Sequence, residues 1–445
     1  AAPARATIIL IHTGSFLPIF YNGQPTGAKT DSAVAEMCRR FARMGFTAIS
    51  MDYRYGWNPV STDQEVRTGT ILQAAGRGVQ DAKACVRYFR NNALNANTYH
   101  IDESRIILGG VGAGGYIALA YATVQGVADY SIPKFLASQN NPIYGFTAGV
   151  TYFDPNVWGD IDGYGGVYNI STNTPGVSNQ VSFAFNMGGC LGDSTWLNAG
   201  NVPMVAFHPV NDPFSPYNTG TVLTPNGNSV IDVVGSYWLI KNADTYNNNA
   251  SFQNNNWTDV YTTTANLHNN GYDGLYPFVM PSPGPPLYGQ AGPWEWWDST
   301  TVYFICQNYL GFSQGKVDTI LGNALLSNPD MSKAKGMAYI DTVIGYLCPR
   351  LYQAISTGTH EISALEKDIK IFPNPFQNQL NIEVKSDNMP IRSVEFFDIS
   401  GRLIYQNTDI NKSQLQVNAD LFKPGVYFLK TYFDKGIVNS KIIKQ

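Results

Sequence analysis

The chain has 445 residues, which is too many for one ordinary hydrophobic core, so we expect two domains. Its 29 basic and 33 acidic residues nearly balance at a net charge of −4, which argues against a nucleic-acid partner. Charged residues make up only 14% and no apolar run is long enough to cross a membrane, a composition typical of an extracellular protein without a membrane span.

Up to Ser356, apolar runs alternate with stretches of helical periodicity, which is the order that a parallel sheet requires. The predicted strands are residues 7–12, 46–51, 105–108, 145–153, 202–208 and 276–280. The predicted helices are residues 32–44, 74–92, 116–122, 299–310, 317–327 and 331–355. The asparagine-rich stretch 247–256 is predicted to be an exposed loop. Residues 1–356 are therefore expected to form an α/β domain around a doubly wound, mostly parallel sheet.

The composition changes after Ser356. Residues 357–367 are predicted to be a linker, and residues 368–445 show only short runs in which polar and apolar residues alternate. Turn dipeptides separate these runs at Ser400-Gly401, Pro424-Gly425 and Lys435-Gly436. Short strands at this spacing predict a small all-β sandwich as the second domain.

The most informative motif lies between a predicted strand and a predicted helix, at residues 110–114, Gly-Val-Gly-Ala-Gly. In hydrolases this context carries the pattern G-x-S-x-G, a sharp turn that presents a nucleophilic side chain. Here the third residue is Gly112, which has no side chain. The sequence therefore predicts the turn without its nucleophile.

Five further motifs surround this turn. They are residues 11–16, 51–54, 78–82, 101–106 and 208–217. Their order resembles that of the carboxylesterase branch of the α/β-hydrolases, over roughly residues 5 to 350. The resemblance implies an α/β-hydrolase fold, an oxyanion loop at His12, Thr13 and Gly14 together with Ala113, and an acid at Asp212.

The resemblance also implies a base after the last strand, but Pro293 stands where that histidine would be. His268 is a candidate base, although its polar surroundings are more typical of a solvated surface residue. The hydroxyls of Ser194 and Ser215 lie nearby in sequence, but neither is on such a turn. Thr13 replaces a glycine that would permit close backbone approach.

Acyl transfer needs a nucleophile, a base, an acid and donors for the oxyanion. Because Gly112, Pro293 and Thr13 all depart from the esterase pattern, we expect a catalytically inactive carboxylesterase-like protein with a binding, adhesion or structural role. The alternative is an active secreted ester hydrolase, or a serine-to-glycine variant of one.

Trp294, Trp296 and Trp297, beside Tyr288, could form an aromatic platform for a glycan, but packing of the last loop explains them better. A second group has oxygen side chains at a spacing similar to that of calcium ligands. It consists of Asp154, Asn156, Asp160 and Asp162, followed by Gly163. The spacing is not that of an EF-hand, and solvated turns explain it equally well. We therefore expect no metal and no cofactor, with calcium as the alternative.

The five cysteines contain no CxxC pair, which argues against zinc. Cys38 and Cys85 lie in two N-terminal helical stretches, and Cys306 and Cys348 in two C-terminal ones. In an oxidising compartment either pair could form a disulfide. The alternative is that these residues are buried apolar thiols.

Residues 368–445 resemble the C-terminal sorting domain of type IX secretion, a family of Bacteroidetes-type bacteria. The matching segments are residues 372–375, 396–402, 424–428 and 441–444. The resemblance implies a secreted or cell-surface protein with the type IX secretion machinery as its partner, the alternative being an adhesion module. A small-molecule or glycan ligand and self-association stay open. No signal peptide precedes the first strand, so we expect that a leader has been removed before Ala1.

Overall fold

The computed structural model describes residues 4–168, 174–224, 227–253, 255, 257–357, 369–385, 390–398, 403–408, 410–418, 420, 422–433 and 436–445. Contacts divide the chain into two compact units, Ala1–Ser356 and Thr357–Gln445. Of the predicted linker 357–367, only Thr357 is described, and it is the last residue of a helix. The predicted turn at Ser400-Gly401 and the start of the chain at Ala1 lie outside the described residues.

The first unit is built on a parallel sheet. Its strands are β1 (Arg5–Ile11), β2 (Thr47–Met51), β3 (Ile101–Val111), β4 (Phe183–Met187), β5 (Met204–Pro209) and β8 (Leu275–Phe278), while β6 (Thr219–Leu223) and β7 (Ser229–Val234) form a separate antiparallel hairpin. The six strands of the sheet follow the order β2-β1-β3-β4-β5-β8, and all their pairs are parallel. The order reverses between β1 and β3, and ligands of such sheets bind at the carboxyl ends of the strands near this point.

Helices cover both faces of this sheet. They are α1 (Ser32–Arg43), α2 (Gln64–Leu94), α3 (Ala113–Thr123), α4 (Pro155–Trp158), α5 (Ser236–Thr245), α6 (Val260–Asn266), α7 (Ser299–Asn308), α8 (Gln314–Ser327) and α9 (Lys333–Thr357). Side chains of β1 alternate between the faces: Ile9 and Ile11 pack with α2, α3 and α5, while Ile8 and Leu10 pack with α1 and α9. All four are fully buried, as a sheet covered on both sides requires. None of the helices in the described ranges combines the length and hydrophobicity needed to cross a bilayer.

The predicted doubly wound α/β sheet is confirmed, but one predicted strand is wrong. Residues 145–153 form turns instead, because Gly145 and Gly149 adopt φ of 71° and 75°, where the chain reverses. The sheet position is taken by β4, whose five residues are all buried. The helix predicted at 74–92 is α2, which begins earlier because the Asp63 carboxylate caps it by accepting from the Glu65 amide.

The asparagine-rich stretch 247–256 is not the exposed loop that was predicted. Asn248 and Asn249 are each 1% exposed. The Asn249 side chain accepts from the Met204 amide at 2.9 Å and donates to the Met204 carbonyl at 3.1 Å, so it holds the start of β5. Residues 254 and 256 lie outside the described residues.

Neither of the two disulfides that the sequence left open is formed, since all five cysteines are free. Cys38 packs with the hydrophobic cluster on one face of the sheet and Cys85 with the cluster on the other face, so their sulfurs cannot meet. Cys306 and Cys348 likewise belong to different clusters. Burial raises the pKa of the Cys85 and Cys348 thiols to about 12, which is the behaviour of buried apolar thiols.

The second unit is the predicted β-sandwich. Its strands are β9 (Ile369–Phe372), β10 (Gln379–Val384), β11 (Ser393–Asp398), β12 (Leu403–Asn407), β13 (Gln414–Asn418), β14 (Gly425–Phe433) and β15 (Gly436–Lys444). They pair antiparallel in two sheets of order β13-β10-β9 and β12-β11-β14-β15. One buried cluster joins both sheets, with Leu380 and Ile382 from the first and Phe396 and Leu429 from the second. This alternation of buried and exposed side chains is what a sandwich requires.

Candidate functional site

The sharp turn at Gly112 is present. β3 leads into it, α3 begins directly after it, and Gly112 adopts φ 51° and ψ −116°. Its amide donates to the Met187 carbonyl at 2.8 Å, which ties the turn to the end of β4. Close packing fixes the helix start: a Cβ built on Gly114 would lie 2.6 Å from the Ile11 carbonyl carbon. The backbone of a hydrolase nucleophile turn is therefore kept without the nucleophile.

The Thr13 side chain occupies the space in front of Gly112. A Cβ built on Gly112 would overlap the Thr13 hydroxyl oxygen and lie 3.2 Å from the Thr13 Cβ. Gly112 and Thr13, which both depart from the esterase pattern, are thus sterically linked. The threonine side chain fills the volume that the missing side chain of residue 112 leaves. The sequence identified both residues but not that they touch.

The loop after β1 holds the other residues of the predicted oxyanion loop. Gly14 has φ 126°, and a Cβ there would lie 2.9 Å from the Gly27 Cα. His12 is fully buried, with Nε2 3.0 Å from an Asp52 carboxylate oxygen and Nδ1 2.5 Å from the Thr13 carbonyl. The Ala113 amide lies in the first turn of α3, where backbone N–H groups lack helical partners. His12 thus positions the loop and does not face a substrate.

Asp212 follows β5, as the resemblance implied. Its Oδ1 accepts from the amides of Phe214 at 2.8 Å and Ser215 at 2.9 Å. The carboxyl is deeply buried, and burial raises its pKa to about 7 against the two backbone hydrogen bonds, which lower it. At neutral pH this carboxyl is therefore close to the midpoint of its titration.

No histidine among the described residues lines the cavity in front of Gly112. His268 is exposed just beyond α6, so the structure does not bring the candidate base to Asp212 or Gly112. His208, which the sequence analysis did not single out, has Nε2 3.9 Å from the Asp212 Oδ2. Both of its nitrogens are used, by the Ser215 carbonyl at 3.0 Å and the Ser236 hydroxyl at 2.8 Å, and burial lowers its pKa to about 4. It is a neutral core histidine.

The two candidate hydroxyls differ. Ser194 is exposed at the start of a 3-10 turn and does not line the cavity. Ser215 lines the cavity, with its hydroxyl 3.2 Å from the Tyr116 hydroxyl. No base within the described residues faces it, so nothing in this arrangement would activate it as a nucleophile.

The turn, Thr13 and Asp212 all line one cavity of about 490 Å³. Its walls come from α2, α3, the hairpin β6–β7, the loop after β8 and α8. Most of the lining is aliphatic or aromatic, including Trp57, Phe153 and Trp196. A concave apolar space with few polar groups is the usual form of a small-molecule site.

The loop after β8 places an unexpected acidic residue in the wall of this cavity. Glu295 is 7% exposed, and neither of its carboxyl oxygens has a hydrogen-bond partner. Burial, and then the nearby Asp31 carboxyl, raise its pKa well above the ordinary range. The adjacent Trp294 is 1% exposed, and its indole N–H is also unpartnered. Glu295 was not predicted from the sequence, where its only signal is a charged residue within an aromatic run.

The tryptophans do not form the surface platform that was considered. Trp294 and Trp296 pack with the cluster under α9, and Trp297 packs with the cluster of α7 and α8. Tyr288 is 63% exposed and stands apart from that packing. Packing of the last loop is the interpretation that this geometry favours.

The acidic group at 154–163 has internal partners. Asp154 caps α4, and the Asp160 carboxylate accepts from two backbone amides of its own turn. The Asp162 carboxylate pairs with Lys83 at 2.7 Å. In the described part of the chain no group of three His, Cys, Asp or Glu residues is arranged to hold a metal ion.

Comparisons with known proteins agree with both units. Residues 2–226 match the family model described as BD-FAE, and residues 370–445 match that of a secretion system C-terminal sorting domain. No curated protein matches the chain.

Several solved structures are similar to parts of the chain. Thermogutta terrifontis esterase 2 phosphonylated by cyclosarin is 18% identical over 48% of this chain and 64% of its own, with a TM-score of 0.30. The propionate-bound form is 18% identical over 48% and 65%, with a TM-score of 0.29. The chain thus spans less than two thirds of these esterases. PorZ, a surface component of the type-IX secretion system of Porphyromonas gingivalis, is 21% identical over 19% of this chain and 12% of its own, with a TM-score of 0.16.

Proposed function

Because the chain belongs to the BD-FAE family, we propose that it is a catalytically inactive esterase-like protein that binds a small apolar ligand in the cavity in front of Gly112. The observation that carries this proposal is the overlap of Thr13 with the position of the missing nucleophile. A serine at Gly112 would have no room unless Thr13 moved, and no described histidine is placed to activate it.

The C-terminal sorting domain makes the protein a secreted or cell-surface protein, and it implies interaction with the type IX secretion machinery. An extracellular binding protein suits the low content of charged residues in the chain, which is 14%. We propose in addition that the producing organism is of the Bacteroidetes type, on the sequence motifs of residues 368–445.

Binding without catalysis follows from what the site keeps and what it lacks. It keeps the buried side chain of the acid Asp212 and an apolar cavity. It lacks the nucleophile and the base, and loss of either in a serine hydrolase lowers the rate by several orders of magnitude. The cavity walls that would hold an acyl group require neither the nucleophile nor the base, so they can still bind a ligand.

The catalytic half of the proposal is tested with p-nitrophenyl butyrate. We expect no hydrolysis above the uncatalysed rate by the native chain, by Gly112→Ser or by the double variant Thr13→Gly/Gly112→Ser. The double variant matters because it supplies both the hydroxyl and the room for it. Saturable turnover by the native chain that Asp212→Asn abolishes would instead establish the second candidate, an active ester hydrolase, which the retained position of Asp212 favours.

The binding half is tested with the neutral apolar dye 1-N-phenylnaphthylamine, whose fluorescence rises in an apolar pocket. We expect saturable binding to the native chain. Ala120→Phe, on the cavity wall of α3, should abolish it by filling the space. Ala128→Phe is the matched control, since Ala128 is exposed and does not line the cavity. Binding that both variants keep would refute a ligand site here.

A further inference from the structure

The cavity in front of Gly112 extends inward along two helices. On one side it is lined by one face of α3 and by the residue that follows this helix, namely Ala113, Tyr116, Ala120 and Val124. The residues of α2 that line it also share one face, namely Ile71, Leu72, Ala75, Gly76 and Val79. The two helices pack against each other, since a Cβ built on Gly78 would lie 2.6 Å from the Ile117 side chain. At a rise of about 1.5 Å per residue, the lining from Ala113 to Val124 spans about 16 Å.

The inner end of the cavity is covered by the segment between α3 and β4. The residues of this segment that line the cavity and are buried include Tyr130, Phe135, Phe153 and Ile161. The Gln80 side chain holds the segment on α2, because it donates to the carbonyls of Trp158 at 2.8 Å and Asp160 at 2.7 Å. The inner end is therefore separated from solvent by side chains that are mostly aromatic or aliphatic.

The outer end of the cavity is open to solvent. The lining residues that are exposed there include Tyr21, Val60 and Leu223. Arg67 joins two sides of this opening, since it donates to the carbonyls of Ser61 at 2.6 Å and Ser229 at 2.9 Å. Ser229 pairs with Leu223 across the hairpin β6–β7. The mouth of the cavity therefore lies between the loops after β1 and β2 and this hairpin, and its rim is apolar.

We propose that the cavity binds a single unbranched hydrocarbon chain, with its polar head at the mouth and its tail between α2 and α3. The inference rests on the proposed function and names the ligand class of that same site. An extended chain advances about 1.2 Å per bond, as an extended polypeptide does, so the 16 Å along α3 correspond to a chain of roughly twelve carbons or more.

The lining explains why the head stays at the mouth. Of the described residues around the cavity, none is lysine, arginine or histidine, so no cation inside it would hold an anionic head. A polar head that moved inward would lose water against aliphatic and aromatic walls, which costs free energy unless hydrogen bonds replace that water. The chain, in contrast, gains about 0.8 kcal/mol for each methylene group that leaves water.

Displacement of 1-N-phenylnaphthylamine from the full chain by primary alcohols tests this inference. The probes are 1-hexanol, 1-octanol, 1-decanol and 1-dodecanol, each used below its solubility limit. We expect the affinity to rise about threefold to fourfold for each added methylene, up to and including 1-dodecanol. A rise that stops at eight carbons or fewer would mean that the tail does not reach along α3.

The shape of the ligand is tested with cyclododecanol, which has the same number of carbons as 1-dodecanol but cannot extend. We expect it to bind at least about tenfold more weakly, a difference equal to the loss of about two buried methylene groups. Equal affinity of the two alcohols would show a wide apolar cavity and not a site for an extended chain.

Val124→Phe shortens the inner end of the cavity. It should weaken the binding of 1-dodecanol by about tenfold or more and leave that of 1-hexanol unchanged, because only the longer chain reaches this residue. Val127→Phe is the matched control, since Val127 is exposed and does not line the cavity. A thermal melt of Val124→Phe as cooperative as that of the native chain shows that the variant is folded.

The outcomes separate this inference from the proposed function. Displacement that does not depend on chain length, or a folded Val124→Phe variant that binds short and long alcohols equally less well, overturns the extended-chain site and leaves the proposed function in place. The same holds if the dye binds and no alcohol displaces it. If the dye itself does not bind, the proposed function fails and this inference fails with it.

Discussion

Thr13 and Gly112 share one space, so we expect that substitutions at the two positions are not independent. Gly112→Ser alone should lower the free energy of unfolding by about 1–3 kcal/mol, because the new Cβ overlaps the Thr13 hydroxyl. Combining it with Thr13→Gly should return part of that loss. Urea unfolding of the two single variants and the double variant measures the coupling. If the two losses simply add, the side chains are not in conflict.

A second consequence at this scale concerns pH. The unfolded Asp212 carboxyl ionises near 3.8, while burial holds the native pKa at about 7, so the native state binds more protons between these values. Stability from this group therefore falls as pH rises from 4 to 7. The contribution of His208 to stability changes with pH in the opposite direction. Burial lowers its native pKa to about 4, so as pH falls the unfolded state binds this proton at a higher pH than the native state does.

The variant Asp212→Asn separates these two opposing effects, since it keeps His208 and the oxygen that accepts from the Phe214 and Ser215 amides. We expect Asp212→Asn to gain stability relative to the native chain as pH rises from 4 to 7, by up to about 4 kcal/mol. Denaturant melts of both proteins at several pH values measure the difference. A difference that stays constant over that range would mean that Asp212 is not buried as described.

How much of the site could be predicted from the sequence depends on how far apart its residues lie along the chain. Gly112 and Asp212 were found because the turn and the acid loop are local motifs whose meaning does not depend on distant neighbours. The contact of Thr13 with Gly112 joins two strand ends that meet only in the folded sheet. Glu295 was not found for the same reason, since its burial without partners depends on the packing around it and not on its own segment.

At the scale of elements, β3, α3 and β1 pack so closely that glycine is required. A methyl group on Gly114 would lie 2.6 Å from the Ile11 carbonyl carbon and 2.7 Å from the His12 carbonyl oxygen. Gly114→Ala should therefore destabilise the fold by about 3 kcal/mol or more, because only backbone could give way.

The matched substitution Gly322→Ala lies on the exposed face of α8, where an added Cβ meets nothing within 4 Å. It should stabilise the protein by about 0.5–1 kcal/mol through helix propensity. Thermal and urea melts of both variants give the comparison. Similar effects of the two substitutions would show that the packing of α3 against β1 is loose.

The elements themselves were predictable where the pattern was long and regular. α1 and the strands β1, β2 and β5 appear near their predicted positions because period and burial agree there. Residues 145–153 were wrongly predicted as a strand, since the β-forming residues there are interrupted by two glycines that turn the chain. The hairpin β6–β7 was not predicted, since no residue of β6 is buried and the hairpin lies outside the main sheet.

At the scale of the whole molecule, the hydrophobic clusters follow the two units. Four clusters consist of residues from the first unit and one of residues from the second, and within the described residues no cluster draws from both. Each unit therefore has the core that independent folding requires. This separation suits a chain whose second unit serves export while the first holds the cavity.

Because the cores are separate, calorimetry should resolve two thermal transitions that respond to different substitutions. Phe396→Ala removes a fully buried ring from the sandwich and should lower only one transition, by at least about 10 °C, since such truncations cost about 3–5 kcal/mol. Phe252→Ala, in the cluster beneath the parallel sheet, should lower only the other. Unaltered dye binding by Phe396→Ala at 25 °C should accompany the first result. A single transition that both substitutions move together would show that the two units unfold as one, because coupling between them would then exceed the stability of either core.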